Sequence, residues 1–144
     1  MTNLKTVQPR DKQELKNLIN ENIDKYGNEV NLNFIDTSLI NDMSYLFYEY
    51  WNFNWDISQW DVSNVENMAF MFYKTKSFNQ DIWNWDVSNV TDMNCMFYDA
   101  TNFNQDIGKW DVSNVHDMEG MFDWAGNFNQ DISRWDVSNV TDMY

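Results

Sequence analysis

A chain of 144 residues that is 43% hydrophobic and 17% aromatic is long enough for one domain and too apolar to be disordered. Its net charge of −14 is unevenly spread: residues 1–27 carry five basic and four acidic groups (+1), and residues 28–144 carry four basic and nineteen acidic groups (−15). The acidic part excludes direct binding of nucleic acid or anionic membrane at ordinary salt, and suits a basic partner or cations.

A single cysteine, Cys95, excludes an internal disulfide. No stretch approaches the length of a membrane span, so membrane insertion is not expected. The N-terminal dozen residues show no apolar run of signal-peptide length, which leads to the expectation of a cytoplasmic chain.

In chain order, residues 1–9 are polar and read as loose. Asp11 followed by Glu14 has capping-box spacing. Leu15, Leu18, Ile19 and Ile23 make one apolar stripe, and Gly27 suits the left-handed position that ends a helix. The prediction is an amphipathic helix over 11–26. A lone helix of this length is marginal in water, so residues 1–27 read as an N-terminal cap on the rest of the chain.

Beyond the helix the chain is a repeat. The word Trp60-Asp61-Val62-Ser63-Asn64-Val65 returns unchanged at residues 85–90, 110–115 and 135–140, each 25 residues after the last. Stepping back from it finds a degenerate first copy over residues 32–46, with Thr37 in place of valine and Leu39 in place of asparagine. Five columns then emerge: Leu32/Ile57/Ile82/Ile107/Ile132, Ile35/Trp60/Trp85/Trp110/Trp135, Met43/Met68/Met93/Met118/Met143, Phe47/Phe72/Phe97/Phe122 and Phe53/Phe78/Phe103/Phe128.

Within a copy, Trp85 and Val87 alternate with Asp86 and Ser88, the period of a short strand. Met93, Met96 and Phe97 fall at i, i+3 and i+4, the period of a helical turn, with Asp92 placed as its N-cap. The predicted fold is therefore α/β: a solenoid of about five 25-residue coils, each a short parallel strand plus a short helix. It occupies residues 28–144 behind the N-terminal capping helix, and its last coil is incomplete.

The spacing Ile57-x-x-Trp60-x-Val62-x-x-Val65 resembles the strand segment of a leucine-rich repeat. The longer string Phe78-Asn79-Gln80-Asp81-Ile82, then Trp85-Asp86-Val87-Ser88-Asn89-Val90, Met93 and Met96-Phe97, is similar to the BspA-like leucine-rich-repeat family of bacteria, first noted in mycoplasmas as proteins of unknown function. The lead-in Tyr26-Gly27-Asn28 and Ile35-Asp36-Thr37-Ser38 looks like the start of short members of that family. The resemblance implies a leucine-rich-repeat-like solenoid and, for many members, a surface or secreted protein engaged in adhesion or host contact.

In-register rungs ~4.8 Å apart place each residue on its own copies. Asn64, Asn89, Asn114 and Asn139 are expected to tie side-chain amides to neighbouring backbone. Asp56, Asp81, Asp106 and Asp131 are expected to accept backbone N–H bonds at a turn. Asp61, Asp86, Asp111 and Asp136 should face water, beside serine hydroxyls or cations.

No catalytic set can be assembled around the sole histidine, His116, whose equivalents are Glu66, Thr91 and Thr141. A column of equivalent aspartates supplies no asymmetric acid–base pair. No metal-binding loop signature is present, so neither a metal nor a cofactor is expected. The candidates for partner binding are Asp61, Asp86, Asp111 and Asp136, with their variable neighbours Asn84, Lys109 and Arg134. To these are added the off-consensus aromatics Trp51, Trp83 and Trp124.

The functional expectation is a non-catalytic protein-interaction module for an unknown, basic partner, with the last coil as a face open to self-association. The alternatives are an acidic, nucleic-acid-mimicking decoy for a basic protein, and a cation-binding structural solenoid.

Overall fold

A computed structural model describes residues 5–27 and 30–144; Asn28 of the lead-in lies outside the described residues. The helix is present as α1, Lys12–Tyr26. The Asp11 carboxylate accepts the Glu14 amide at 2.9 Å, while the Glu14 side chain accepts the Arg10 amide, one residue earlier than a capping box would have it. Gly27, at φ 65, donates its N–H to the Ile23 carbonyl, a left-handed ending open to glycine without strain. Leu15 and Ile19 are fully buried in the same apolar cluster as the first repeat, and Leu18 and Ile23 pack at its margin. Tyr50 seals the contact by donating its hydroxyl to Asn20 Oδ1 at 2.6 Å.

Residues 1–4 lie outside the described residues, and residues 5–9, expected to be loose, are tied down. Val7 bridges in parallel to Ile35, and the Gln8 side chain reaches Asp36 and Ser38.

The 25-residue copies lie on one another in register, but the predicted α/β solenoid of strand-and-helix coils is overturned. Among the described residues α1 is the one helix, and strand pairing is confined to isolated parallel bridges: Val7–Ile35, Asn31–Asp56, and the series Asp42–Asn67–Asp92–Asp117–Asp142. The alternating word is broken by turns. The Trp85 amide bonds back to the Ile82 carbonyl and the Val90 amide to the Val87 carbonyl, which leaves too few extended residues for a ladder. Burial still alternates as expected, with Trp85 and Val87 inside and Asp86 outside.

The expected short helices are replaced by a run of β-turns. Met71, Tyr73 and Thr75 donate to carbonyls three residues back (Met68, Phe70, Phe72). The intervening amides of Met68, Phe70, Phe72 and Lys74 donate instead to Asp92, Asn94, Met96 and Tyr98 of the next repeat, at 2.7–3.0 Å. A helix would need every amide for its own turn; here alternate amides leave the repeat.

The conformational cost sits at the third residue of every second turn. Tyr45, Glu49, Phe70, Lys74, Cys95, Asp99 and Trp124 all have φ between 50 and 60, as type II turns require at that place. Of the residues in these columns only Gly120, at φ 57, is a glycine. Left-handed backbone costs a side-chain-bearing residue roughly 1–2 kcal/mol, and the cross-repeat hydrogen bonds hold it in place.

The core is a double column of phenylalanines. Phe47, Phe72, Phe97 and Phe122 stack with centroids 5.5–5.8 Å apart, and Phe53, Phe78, Phe103 and Phe128 at 5.3–5.9 Å. Within each repeat the two rings meet at 3.8–4.2 Å. Separations above the ~4.8 Å rung spacing mean offset stacking, the arrangement aromatic quadrupoles favour.

Trp60, Trp110 and Trp135 donate Nε1–H to the carbonyls of Leu32, Ile82 and Ile107. Trp85 and Trp55, both buried, have no partner for Nε1 among the described residues. In the atypical first repeat, Thr37 is fully buried and donates its hydroxyl to the Asp61 carbonyl at 2.8 Å, where the later copies have valine.

Phe97→Ala should lower the unfolding free energy by about 3–5 kcal/mol, measured by denaturant titration, because it removes a fully buried ring from contact with four others. Trp124 is 77% exposed and left-handed, so Trp124→Gly should leave stability unchanged or raise it, whereas Trp124→Val should lower it.

Candidate functional site

Three polar corners turn the chain in each repeat, and each is built on an aspartate or asparagine that accepts the backbone amide two residues on. At the first, Asp56, Asp81, Asp106 and Asp131 accept from Ser58, Trp83, Gly108 and Ser133 at 3.0–3.3 Å. At the second, Asp61, Asp86, Asp111 and Asp136 accept from Ser63, Ser88, Ser113 and Ser138 at 3.0–3.1 Å. At the third, Asp42, Asn67, Asp92 and Asp117 accept from Ser44, Ala69, Asn94 and Glu119 at 2.8–2.9 Å.

The second corner holds the acidic candidates. Their carboxylates are exposed and oriented alike, since Oδ1 also accepts the serine hydroxyl at 2.6 Å in Asp61, Asp86 and Asp111. The Asp111 carboxyl is held below its ordinary value by the Ser113 hydroxyl first and the Ser113 amide second, with Asp136 pushing the other way. Asp136 is lowered by Ser138 in the same manner, and Asp36 by Ser38. Asn64, Asn89, Asn114 and Asn139 donate Nδ2–H to the carbonyl of the preceding repeat's serine at 2.7 Å, the backbone tie anticipated for that column.

The other candidates are not gathered into one patch. Trp83 and Lys109 do meet, with the ammonium 5.8 Å from the ring centre, beside Asp81, Gln105 and Asp106. Asn84 and Arg134 occupy the Lys109 column one repeat to either side. Trp51 is 61% exposed and borders a cleft against α1 with Asn20, Asp24 and Tyr50. Trp124 lies three repeats on from the Glu49 position, next to the Trp51 column. Trp55, also off consensus, is buried edge-on against Phe53.

Two features escape the reading of the sequence. The Asp92 column has the spacing of helix caps, yet no helix comes after it. It lines a groove of about 470 Å³ with Tyr45, Phe70, Cys95 and Glu119. Beside it, Tyr45 stacks on Phe70 at 4.7 Å, and Tyr48, Tyr73 and Tyr98 stack at 4.8 Å, all outside the core. The 25-residue spacing of these tyrosines is the signal for that stripe.

Burial, and then the charges of Glu119, Asp123, Asp117 and Asp92, push the Cys95 thiol up, away from the nucleophilic thiolate. Among the described residues no three His, Cys, Asp or Glu side chains form a metal-holding group. No helix among them is long and apolar enough to cross a membrane. The last repeat is only partly buried at Phe128, Ile132, Trp135 and Val137, and a cavity of about 510 Å³ opens there against Phe122 and Tyr144.

A folded-state pKa below the ordinary aspartate value of 3.8 stabilises the fold above that value, and the gain is lost as pH falls through the lowered one. Stability should therefore drop on acidification below pH ~4. Ser113→Ala should move the Asp111 carboxyl back up, as read by carbon-detected NMR titration, since it removes the principal cause of the shift.

Residues 13–123 and, overlapping them, 84–144 match the family described as Mycoplasma protein of unknown function, DUF285, and the chain belongs to that family. No curated protein and no solved structure matches it.

Proposed function

We propose that this member of an uncharacterised mycoplasma family is a non-catalytic interaction module that captures a basic protein on the acidic corner formed by Asp61, Asp86, Asp111 and Asp136. The observation that carries the reading is that these carboxylates are exposed, evenly spaced and fixed through Oδ1 by serine. A row of pre-oriented charges, one per repeat, needs little ordering when it meets a complementary row.

The charge of −15 on residues 28–144 would speed and steer such an encounter, and salt would weaken it. The variable column of Asn84, Lys109 and Arg134 precedes the fixed acids by two residues in the sequence, with Lys109 at the neighbouring Asp81 and Asp106 corner, and is suited to selecting among basic partners. The resemblance to BspA-like repeats supports extending this reading to adhesion or host contact.

In a pull-down from host or bacterial extract at low salt, the wild-type chain should retain a basic protein. Asp86→Asn/Asp111→Asn should lose most of it while still unfolding in one cooperative transition, because asparagine can accept the same amide bond, as Asn67 does at 2.9 Å. Equal retention by the double variant sinks the assignment of this corner.

A further inference from the structure

We propose that the groove along Asp92, Asp117 and Glu119 is a second seat for the basic partner, one that takes the ammonium groups of a lysine-bearing segment. The inference rests on the reading that the partner is basic, and it adds both the place and the chemistry of the contact.

The chain itself supplies the template. Lys12 of α1 lays its ammonium on the first rung of this column, 2.8 Å from Asp42 Oδ2, 2.9 Å from Ser44 Oγ and 3.3 Å from the Ser44 carbonyl. The two side-chain acceptors of that seat are the bridge-position aspartate and the residue two further on. They recur as Asp92 with Asn94, and as Asp117 with Glu119. At the latter rung the serine hydroxyl is replaced by a carboxylate, which raises the negative charge offered to an amine.

Among the described residues those rungs have no cation of their own. The ion pairs among the described residues are Arg10–Glu14, Lys12–Asp42, Lys74–Glu49 and Lys76–Asp99, and none involves Asp92, Asp117 or Glu119. Beyond the turn bond that Asp117 accepts from the Glu119 amide, the side-chain donor serving Asp117 and Glu119 is Asn94 Nδ2, through long contacts at 3.3–3.4 Å.

The groove also has an apolar wall. Tyr45 and Phe70, stacked at 4.7 Å, line it together with Cys95, and Tyr45 is 47% exposed. A lysine can lay its methylene stem on such a wall while its head reaches a carboxylate. Asp92 and Asp117 occupy adjacent rungs joined by a parallel bridge, so a segment running along the stack meets a fresh seat every ~4.8 Å.

The test is titration of a fluorescently labelled octalysine peptide at low salt, read by anisotropy, into three proteins. These are the wild-type chain, Asp92→Asn/Asp117→Asn/Glu119→Gln, and Asp61→Asn/Asp86→Asn/Asp111→Asn, the two variants carrying the same change in net charge. Asn67 already stands in the groove column with its turn intact, so both variants should still unfold in one cooperative transition.

The groove variant should weaken binding by at least tenfold, and the other by less than threefold. Equal weakening would show that only overall charge is felt and would overturn the groove assignment. Weakening confined to the Asp61-column variant, or no binding by the wild type, would also overturn it. The pull-down with Asp86→Asn/Asp111→Asn decides the broader reading separately, because it uses neither the peptide nor the groove residues.

Discussion

The structure depends on a division of labour among backbone amides. In each repeat, one set closes β-turns inside the repeat and the alternate set crosses to the next. Neither set suffices alone. A single repeat would leave half its turn amides unpaired and both faces of its phenylalanine pair in water. Unpaired backbone groups in an apolar surrounding are costly, so one copy has no reason to fold without another. The same dependence explains why residues with side chains tolerate the left-handed backbone at Phe70, Lys74, Cys95 and Asp99: the crossing bonds fix their conformation from outside.

Much of this is legible from spacing alone. The five apolar columns, the asparagine tie, the amide-binding Asp56 column and the capped helix α1 derive from a fixed 25-residue period and from which residues alternate. The local conformation is not legible. Burial of Met93, Met96 and Phe97 has the same pattern in a helix and in a run of alternating turns, so apolar periodicity cannot separate the two. Left-handed turns normally announce themselves through glycine or asparagine, and here they are occupied by Tyr45, Phe70 and Cys95, with Gly120 the one punctuation mark in that column. The strand expected at Trp85 and Val87 fails for a related reason: Asp86 and Ser88 form a turn as readily as they face solvent.

The candidate sites divide in the same way. Columns that repeat without change, such as Asp61 and its copies, are conspicuous in the sequence, and their serine-fixed geometry makes them uniform. The acidic groove is hidden there because its column has the spacing of helix caps. Its distinguishing mark, the lysine of α1 lying on Asp42, joins residues thirty apart that no repeat period connects. Trp51 borders the cleft against α1 and Trp83 meets Lys109, so these exposed tryptophans stand at separate places.

Because every junction between repeats is made from the same columns, the molecule has a natural unit of length. Exchange between two copies of the word at residues 85–90 and 110–115 would add or delete whole 25-residue rungs without creating a new kind of contact. Each such event would lengthen or shorten the acidic rows by ~4.8 Å and leave α1 and its seat on the first repeat untouched. The number of acidic rungs would thus change by recombination in whole steps, with the junctions between repeats unaltered.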